Sequence, residues 1–423
     1  MTHHKAVESA LSPYRVLDLA RGGCCLAGKY FADLGADVIK VEPPGGDPTR
    51  SIGPFYKDIP HPEKSLFWFS YNNDKRGITL DIETADGAEL FKQLAKKADF
   101  VIESSPSGYM DSLGLGYKDL SAINPAIIMV SITPFGQTGP KSHYKGSDLT
   151  GWASGGVLYT MGDTDRPPVG ITFMAQATLH AGTEAAAGAL IAHYSRTFTG
   201  EGQHVDVSMQ DTCIWLLQAV PEMYDMNKYI YKRAGADWVA GSGVARRQFY
   251  AVRDGYIAFT VIGGGLVGAV KATRAMVKFM EEDGMAPDWL VNYDWEHNYD
   301  TAHLTQEEVD RVDTYFIEWF KTKTKDELWS QAIGRGLLVA PLSDMKDVTE
   351  NEQLKERNYW VTLEHPELND GLTYPANLAA LSETPGQLVR RAPLIGEHND
   401  EVYSKELGIS REKLANLKQA GVI

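Results

Sequence analysis

Apolar and polar positions alternate in a strand, helix, strand rhythm along the first half of the chain. Residues 14–19 form a short apolar run, residues 27–34 have the apolar spacing of a helix, and residues 38–41 form a second apolar run after a turn at Gly35. This alternation predicts a parallel sheet with helices on its faces, which is an α/β fold. The pattern continues with an extended segment at residues 79–81, an amphipathic helix at 86–97 and buried strands at 100–102 and 127–131.

A long alanine-rich segment, residues 175–194, predicts a helix. Its small residues Ala181, Ala185 and Gly188 would let another element approach the helix axis closely. A glycine turn then leads into residues 203–207, which we predict to be a further strand.

The pattern changes after about Pro221. Residues 249–261 indicate two short strands around a turn at Asp254 and Gly255, and charged helices follow to about Thr324. A chain of 423 residues exceeds what one hydrophobic core usually serves. We therefore predict a second, smaller domain in the middle of the chain.

Beyond Asp326 the pattern indicates helices and loops, ending in an amphipathic helix at residues 410–420. The segment at residues 391–398 is expected to bring the chain back to the first domain.

The formal net charge of -15 argues against nucleic acid or an anionic membrane as a partner. Phosphate groups would be repelled over most of such a surface.

The three cysteines, Cys24, Cys25 and Cys213, have no metal-ligand spacing, and the adjacent pair does not readily bridge itself. We expect them to be small buried hydrophobic residues in a reducing cytoplasm, with no bound metal. Residues 1–13 hold no apolar run, and no later stretch reaches the ~18 apolar residues of a membrane span, so neither a secretory signal nor a membrane anchor is expected.

Several longer phrases resemble the class III CoA-transferases, the family of formyl-CoA transferase and carnitine CoA-transferase. They occur in the family's order over nearly the whole chain, which is far more specific than any single motif. The phrases are RVLDLAR at residues 15–21, ADLGADVIKVEPPGGDPTR at 32–50, NDKRGITLD at 73–81, FGQTGP at 135–140, TGEGQHVDVS at 199–208 and GEH at 396–398.

The resemblance implies a large Rossmann-like domain built from both chain ends, residues 1–222 and 331–423, and a small domain at 223–330. It also implies an obligate dimer whose two subunits interlock like chain links. In the family's chemistry an aspartate carboxylate attacks an acyl-CoA thioester and forms a mixed anhydride, then an aspartyl-CoA thioester that a second acid opens. A glycine-rich loop shields these intermediates from water.

The family aspartate falls on Thr178 when the chain is aligned from Gly202 and Gln203. Residues 173–182 contain no carboxylate, and Glu184 lies nearly two helical turns further on at ~3.6 residues per turn. A threonine hydroxyl does not ionise near neutral pH, so Thr178 cannot simply replace the nucleophile. The plainer interpretation of Thr178 is a residue at the start of a helix.

The positions that meet CoA in the family have also changed. Basic family residues correspond here to Glu83, Ser112 and Thr133, the last of which precedes the Phe135 turn, and Ser104 and Ser105 replace the family's Asn-Phe at the adenine pocket. Because charge-assisted contacts to the phosphates supply affinity, this site is predicted to be degenerate.

Other family features remain. Gly241, Ser242 and Gly243 stand where the family has its glycine loop, although an ordinary turn would also explain these glycines. The loop that faces the thioester in the family is kept as Arg21, Gly22, Gly23 and Cys24.

The leading hypothesis is a non-nucleophilic subunit of a heteromeric CoA-transferase, whose homologous partner supplies the aspartate and holds most of the CoA thioester. The family's succinyl-CoA:(R)-benzylsuccinate CoA-transferase, from anaerobic toluene degradation, is similar because one of its subunits lacks the nucleophile. One alternative is a 2-methylacyl-CoA racemase, although Ser147 and Thr178 replace that branch's histidine and aspartate. Another is a non-catalytic scaffold that stabilises a catalytic partner.

Overall fold

The computed structural model divides the chain into two compact units, which are described separately. The first consists of Met1–Leu158, Gly170–Lys228 and Gln353–Ile423, and the second of Tyr159–Val169 and Tyr229–Glu352. The domain boundaries expected after residues 222 and 330 stay a prediction. The structure describes residues 9–170, 175–239, 243–265, 267–300, 303–376 and 379–423.

A six-stranded parallel sheet forms the centre of the first unit. Its strands are Arg15–Leu19 (β1), Asp37–Glu42 (β2), Arg76–Thr79 (β3), Phe100–Glu103 (β4), Ile128–Thr133 (β5) and His204–Ser208 (β6). They lie in the order β3-β2-β1-β4-β5-β6, which is the order of the Rossmann fold. The predicted α/β class and parallel sheet are confirmed.

Strand β3 begins three residues before the extended segment predicted at 79–81, so the predicted position was wrong. It begins at Arg76, a buried cation that pairs with Asp37, Glu401 and Glu406. Two of these carboxylates come from the far end of the chain. The local sequence therefore gave no sign that a charged residue could open a buried strand.

Helices connect the strands of the first unit. They are Cys25–Asp33 (α1), Leu66–Tyr71 (α2), Ala85–Ala95 (α3), Tyr109–Ser112 (α4), Tyr117–Ile123 (α5), Asp148–Ser154 (α6), Gln176–Thr199 (α7), Met209–Trp215 (α8) and Val220–Asn227 (α9). The predicted long helix is α7, and its Ala181 and Ala185 are fully buried. A Cβ on Gly188 would lie 2.9 Å from Cγ1 of Val205, so close packing on the sheet requires the glycine.

The second unit contains small antiparallel sheets and a helical core. Its strands are Asp237–Val239 (β7), Ala245–Arg247 (β8), Phe249–Val252 (β9), Gly255–Ala258 (β10) and Ala340–Pro341 (β11). Its helices are Val267–Glu282 (α10), Asp288–Val291 (α11), Gln306–Phe320 (α12), Lys325–Arg335 (α13) and Met345–Glu350 (α14). The β9–β10 hairpin confirms the two strands predicted around Asp254 and Gly255.

The C-terminal part of the chain belongs to the first unit and packs on its parallel sheet. The backbone nitrogen of His398 donates to the carbonyl of Gly77 in β3 at 2.9 Å. Tyr403 is fully buried in the hydrophobic cluster that covers the sheet. The expectation of only helices and loops after Asp326 was wrong, because a hairpin forms there and packs against Trp68 of α2. The elements are Glu352–Glu356 (α15), Trp360–His365 (β12), Asp370–Pro375 (β13) and the predicted final helix at Arg411–Gln419 (α16).

Among the described residues, no helix combines the length and the apolar character that a membrane span needs.

Candidate functional site

A groove of about 360 Å³ lies at the carboxyl end of the parallel sheet, where open α/β sheets bind their ligands. It is lined by Arg21 after β1, Pro43 after β2, Glu83 after β3 and Ser105 after β4. The fold thus brings together three of the residues singled out from the sequence, Arg21, Glu83 and Ser105. Their segments are far apart in the chain and meet only because the strands are parallel.

The lining of the groove carries more acidic than basic groups. Asp81 and Glu83 line it together with Arg21, the one cation among the described lining residues, whereas the charge of Glu42 is balanced by its ion pair with Arg50. The hydroxyl of Tyr109 donates to Oε1 of Glu83 at 2.6 Å. Partial burial, reinforced by this carboxylate, raises the pKa of Tyr109 to about 12, so the phenol stays neutral. A polyanionic ligand would therefore meet net repulsion in this groove.

The Gly22–Cys24 loop lies directly against the start of α7. A Cβ on Gly23 would collide with the Thr178 hydroxyl and would lie 2.9 Å from the backbone nitrogen of Leu179. A Cβ on Gly182 would likewise lie 3.1 Å from the carbonyl oxygen of Gly23. Only glycine at these positions allows the loop and the helix to approach so closely. The sequence had placed Gly23 and Thr178 in one site, and the structure makes them neighbours.

The hydroxyl of Thr178 is used within the helix start. It donates to the carbonyl oxygen of Ala175 at 2.7 Å, and the backbone nitrogen of Thr178 donates to Oδ1 of Asp148 at 3.1 Å. Asp148, from α6, thus satisfies one of the free N–H groups at the N-terminus of α7. This arrangement agrees with the interpretation of Thr178 as a residue that helps to begin a helix.

No described carboxylate or imidazole accepts the proton of the Thr178 hydroxyl, since the neighbouring Asp148 accepts the backbone nitrogen of Thr178 instead. His180 packs edge-on against Trp152, with ring centroids 6.0 Å apart. The carboxylate of Glu184 accepts the hydroxyl of Thr212 at 2.5 Å. Neither group forms a hydrogen bond with the Thr178 hydroxyl among the contacts of the described residues.

The remaining predicted residues are not among those that line the groove. Ser104 accepts the backbone nitrogen of Arg21 at 2.9 Å, and Ser112 donates to the carbonyl of Tyr109 at 2.7 Å. Thr133 is buried at the end of β5, and its hydroxyl has no hydrogen-bond partner among the described residues. Phe135 stacks edge-on with a tyrosine, at a centroid distance of 6.5 Å. Their roles toward CoA stay predictions.

The predicted glycine loop is only partly covered by the structure. Gly241 and Ser242 lie outside the described residues. Gly243 is exposed, with a φ of +86° and open space around it, a conformation that glycine adopts at no steric cost.

Sequence reasoning missed a buried charge network beneath the Arg21–Cys24 loop. Asp18 accepts Nζ of Lys75 at 2.7 Å and lies 3.6 Å from Nζ of Lys40, with all three side chains fully buried. Burial works to raise the pKa of Asp18, but the two lysine cations lower it below its ordinary value. Lys40 also donates to the carbonyl of Ala20, and Lys75 to that of Cys25 at 2.9 Å. The network therefore fixes both ends of the loop.

A second cavity, of about 390 Å³, holds Glu103, Ser131 and His204 in its lining. Burial raises the pKa of Glu103 to about 7, although a hydrogen bond from Ser131 and the backbone of Ser105 oppose the shift. The Ser131 hydroxyl lies 2.9 Å from Nε2 of His204, whose ring stacks on Tyr117. Polar side chains inside strands were the available signal for this cluster. Among the described residues, no group of histidine, cysteine and acidic side chains is arranged to hold a metal ion.

The model of CoA-transferase family III matches residues 11–399 of the chain. The chain belongs to this family. A succinyl-CoA:(R)-benzylsuccinate CoA-transferase subunit, BbsE of Thauera aromatica, is 36% identical over 97% of this chain and 98% of its own length. A succinyl-CoA–D-citramalate CoA-transferase of Chloroflexus aurantiacus is 31% identical over 98% of each chain. The resemblance predicted from the sequence motifs is confirmed.

A solved structure supports the fold of the CoA-transferase family. A CaiB/BaiF family protein from Brucella suis has a TM-score of 0.78 and 29% identity, and the match covers 94% of this chain and 99% of that one. Subunits are also named among the relatives, since the succinyl-CoA–L-malate CoA-transferase β subunit of C. aurantiacus is 28% identical over 98% of each chain.

Proposed function

We propose that this chain is the subunit without a nucleophile in a heteromeric class III CoA-transferase. The observation that carries the proposal is the Thr178 hydroxyl, which lies against the Gly23 loop and donates its proton to the carbonyl of Ala175. An alcohol held in this way, with no base on it, is a poor nucleophile toward a thioester. A homologous partner subunit would then supply the aspartate.

The groove supports the same proposal. Glu83 and Tyr109 form a hydrogen-bonded pair beside Asp81, and Arg21 is the cation that lines the groove with them. CoA carries several phosphate charges, which need cationic partners rather than carboxylates. Most of the CoA thioester would therefore be bound by the partner subunit.

The proposed chemistry takes place on the partner's aspartate. That carboxylate attacks the acyl-CoA carbonyl, and the C–S bond breaks to give a mixed anhydride and CoA thiolate. The thiolate then attacks the aspartyl carbonyl, releases the donor acid as its carboxylate and leaves an aspartyl-CoA thioester. The acceptor carboxylate reverses these two steps, which forms the new acyl-CoA and restores the aspartate.

Succinyl-CoA is the proposed donor and benzylsuccinate the proposed acceptor, because the relative at 36% identity is named for these substrates. The proposal includes an interlocked assembly with the catalytic partner, a cytoplasmic location and the predicted division at residues 222 and 330. The named α and β subunits of the malate enzyme support heteromeric assembly as a feature of the family.

Co-expression tests the division of labour. We expect the purified chain alone to show no transfer of CoA from succinyl-CoA to benzylsuccinate, and the complex with an aspartate-bearing homologue to be active. Hydroxylamine trapping followed by mass spectrometry should locate the acylated aspartate on the partner. Full activity from the isolated chain would contradict the proposal, and a partner that is fully active alone and only becomes more stable in the complex would favour the scaffold.

Replacing Thr178 by aspartate tests whether only the nucleophile is missing. We expect Thr178→Asp, paired with a partner whose own aspartate is changed to asparagine, to stay inactive, because the acidic groove still disfavours CoA and Asp148 lies beside the new carboxylate. Thr178→Asn is the matched uncharged control. Measurable CoA exchange by Thr178→Asp would show that the CoA site of this chain is intact. If Thr178→Asp is inactive as expected, adding Glu83→Lys to it is the follow-up variant.

A further inference from the structure

Arg246, on β8 of the second unit, is a buried cation that forms no hydrogen bond with the described residues. The residue is 8% exposed, and its Nε and Nη1 are buried with no partner in the described part of the chain. The other buried arginines of the described chain are fully engaged, Arg50 with Glu42 and Glu63, and Arg76 with three carboxylates. Arg246 forms no ion pair with any described carboxylate, so it is an exception within its own chain.

The guanidinium of Arg246 lies over an aromatic ring. It stacks over the ring of Trp238, 4.8 Å from the centroid, and Trp238 is its cross-strand neighbour in the β7–β8 hairpin. A guanidinium that stacks on an aromatic ring keeps the N–H groups in its own plane free to bind an acceptor. The hairpin therefore presents the donors in a fixed orientation.

The buried acid of this unit is already engaged with other groups. Asp313 accepts the hydroxyl of Tyr250 at 3.0 Å, and burial raises the pKa of Asp313 to about 6 despite the opposing charge of Arg247. It influences Arg246 electrostatically, together with Tyr299, without forming a salt bridge. Tyr299 packs against Trp295, whose indole nitrogen is also buried without a partner. The orphaned buried side-chain atoms of the described second unit are thus all donors.

An excess of buried donors calls for an acceptor from outside this unit, because unpaired buried polar groups are costly. We propose that Arg246 and Trp238 form a binding site for a carboxylate. One guanidinium balances a single negative charge, and its planar edge matches the geometry of a carboxylate. A phosphate dianion would need a second cation to balance its second charge. The site requires neither CoA nor an aspartate nucleophile, so it stands apart from the proposed transferase role.

Succinate is a suitable probe for the full-length chain, with sodium chloride of equal ionic strength as the reference. We expect succinate to raise the melting temperature in a saturable way and to change the fluorescence of Trp238. Arg246→Met should weaken succinate binding at least tenfold by calorimetry, whereas Arg253→Gln, at an exposed ion pair of the same unit, should leave it unchanged. Equal binding by wild type and Arg246→Met would overturn a small-acid site.

The carboxylate could instead be a side chain of a neighbouring subunit, and sedimentation separates this source from a small acid. If the wild-type chain does not bind succinate, and Arg246→Met weakens assembly, the carboxylate belongs to the neighbouring subunit. Arg246→Lys is the control for misfolding, because it keeps the positive charge and removes only the planar donor edge. If both variants melt well below wild type, and neither succinate nor assembly depends on Arg246, the guanidinium is paired within its own fold and the proposal fails.

Discussion

Several charged side chains are buried in or beside the strands of the parallel sheet. Asp18, Lys40 and Lys75 form a network under the Arg21–Cys24 loop, and Glu103 lies almost fully buried at the end of β4. Each sits in or beside a buried strand of the parallel sheet. A charge in such a place is retained at a cost in desolvation, so it marks a position where geometry matters more than stability.

Glu103 gives a pH-dependent prediction. Because its folded pKa of about 7 lies above the ordinary 4.5, the folded state binds the extra proton between these values, and the free energy of unfolding falls as the pH rises through this window. The loss amounts to about 3 kcal/mol at roughly 1.4 kcal/mol per pKa unit. Glu103→Gln, measured by urea unfolding across the window, should lose correspondingly less stability on raising the pH than wild type.

Glu89→Gln, at an exposed position on α3, is the control and should follow the wild-type curve. If Glu103→Gln also follows that curve, Glu103 titrates normally and burial does not hold its proton.

At the scale of elements, the contact between the Gly22–Cys24 loop and α7 builds the candidate site. Gly23 and Gly182 face each other there, and a Cβ on either would press on backbone atoms of the other element. The small residues of α7 were visible in the sequence as a stripe. Their partner was not, because the loop reaches the helix only after β1 and α1 have packed.

Gly23→Ala tests this contact by sterics alone, since the backbone of Gly23 does not adopt a positive φ. We expect a loss of about 2 kcal/mol, because the backbone nitrogen of Leu179 cannot move aside as a flexible side chain would. Gly334→Ala, in α13 with open space around it, should instead be neutral or slightly stabilising. Thermal unfolding that ranks the two variants equally would show that the loop and the helix are not in firm contact.

For the whole molecule, the outstanding question is assembly. Helix α7 exposes Ile191, Tyr194 and Phe198 at helical spacing, with 70%, 67% and 74% of their surfaces accessible. A contiguous apolar stripe of this kind is typical of a subunit interface. The stripe is therefore a candidate contact surface for the proposed partner subunit.

Phe198→Asp should weaken the proposed assembly, because it places a charge in an apolar contact. We expect the dissociation constant to rise at least tenfold, which corresponds to about 1.4 kcal/mol, as measured by sedimentation velocity on the co-expressed complex. Thr197→Asp, exposed one residue earlier, controls for added charge. An unchanged assembly would remove α7 from the interface.

Much of the parallel sheet could be predicted because buried strands are apolar on both faces and leave continuous runs such as that of β4 and β5. The family motifs likewise identified the transferase family. The β12–β13 hairpin escaped prediction, since its exposed alternation resembles a polar loop and only packing against Trp68 reveals it.

The sequence by itself determined the fold class, the family and the absence of a carboxylate from residues 173–182, because these depend on residue identity and local order. Only the tertiary structure decided what the Thr178 hydroxyl binds, where Asp148 points, and that Arg246 is buried without a partner. Hydrogen bonds and ion pairs join residues that are distant in the chain. Local periodicity cannot encode those pairings, whereas three-dimensional packing either satisfies a polar group or leaves it unpaired.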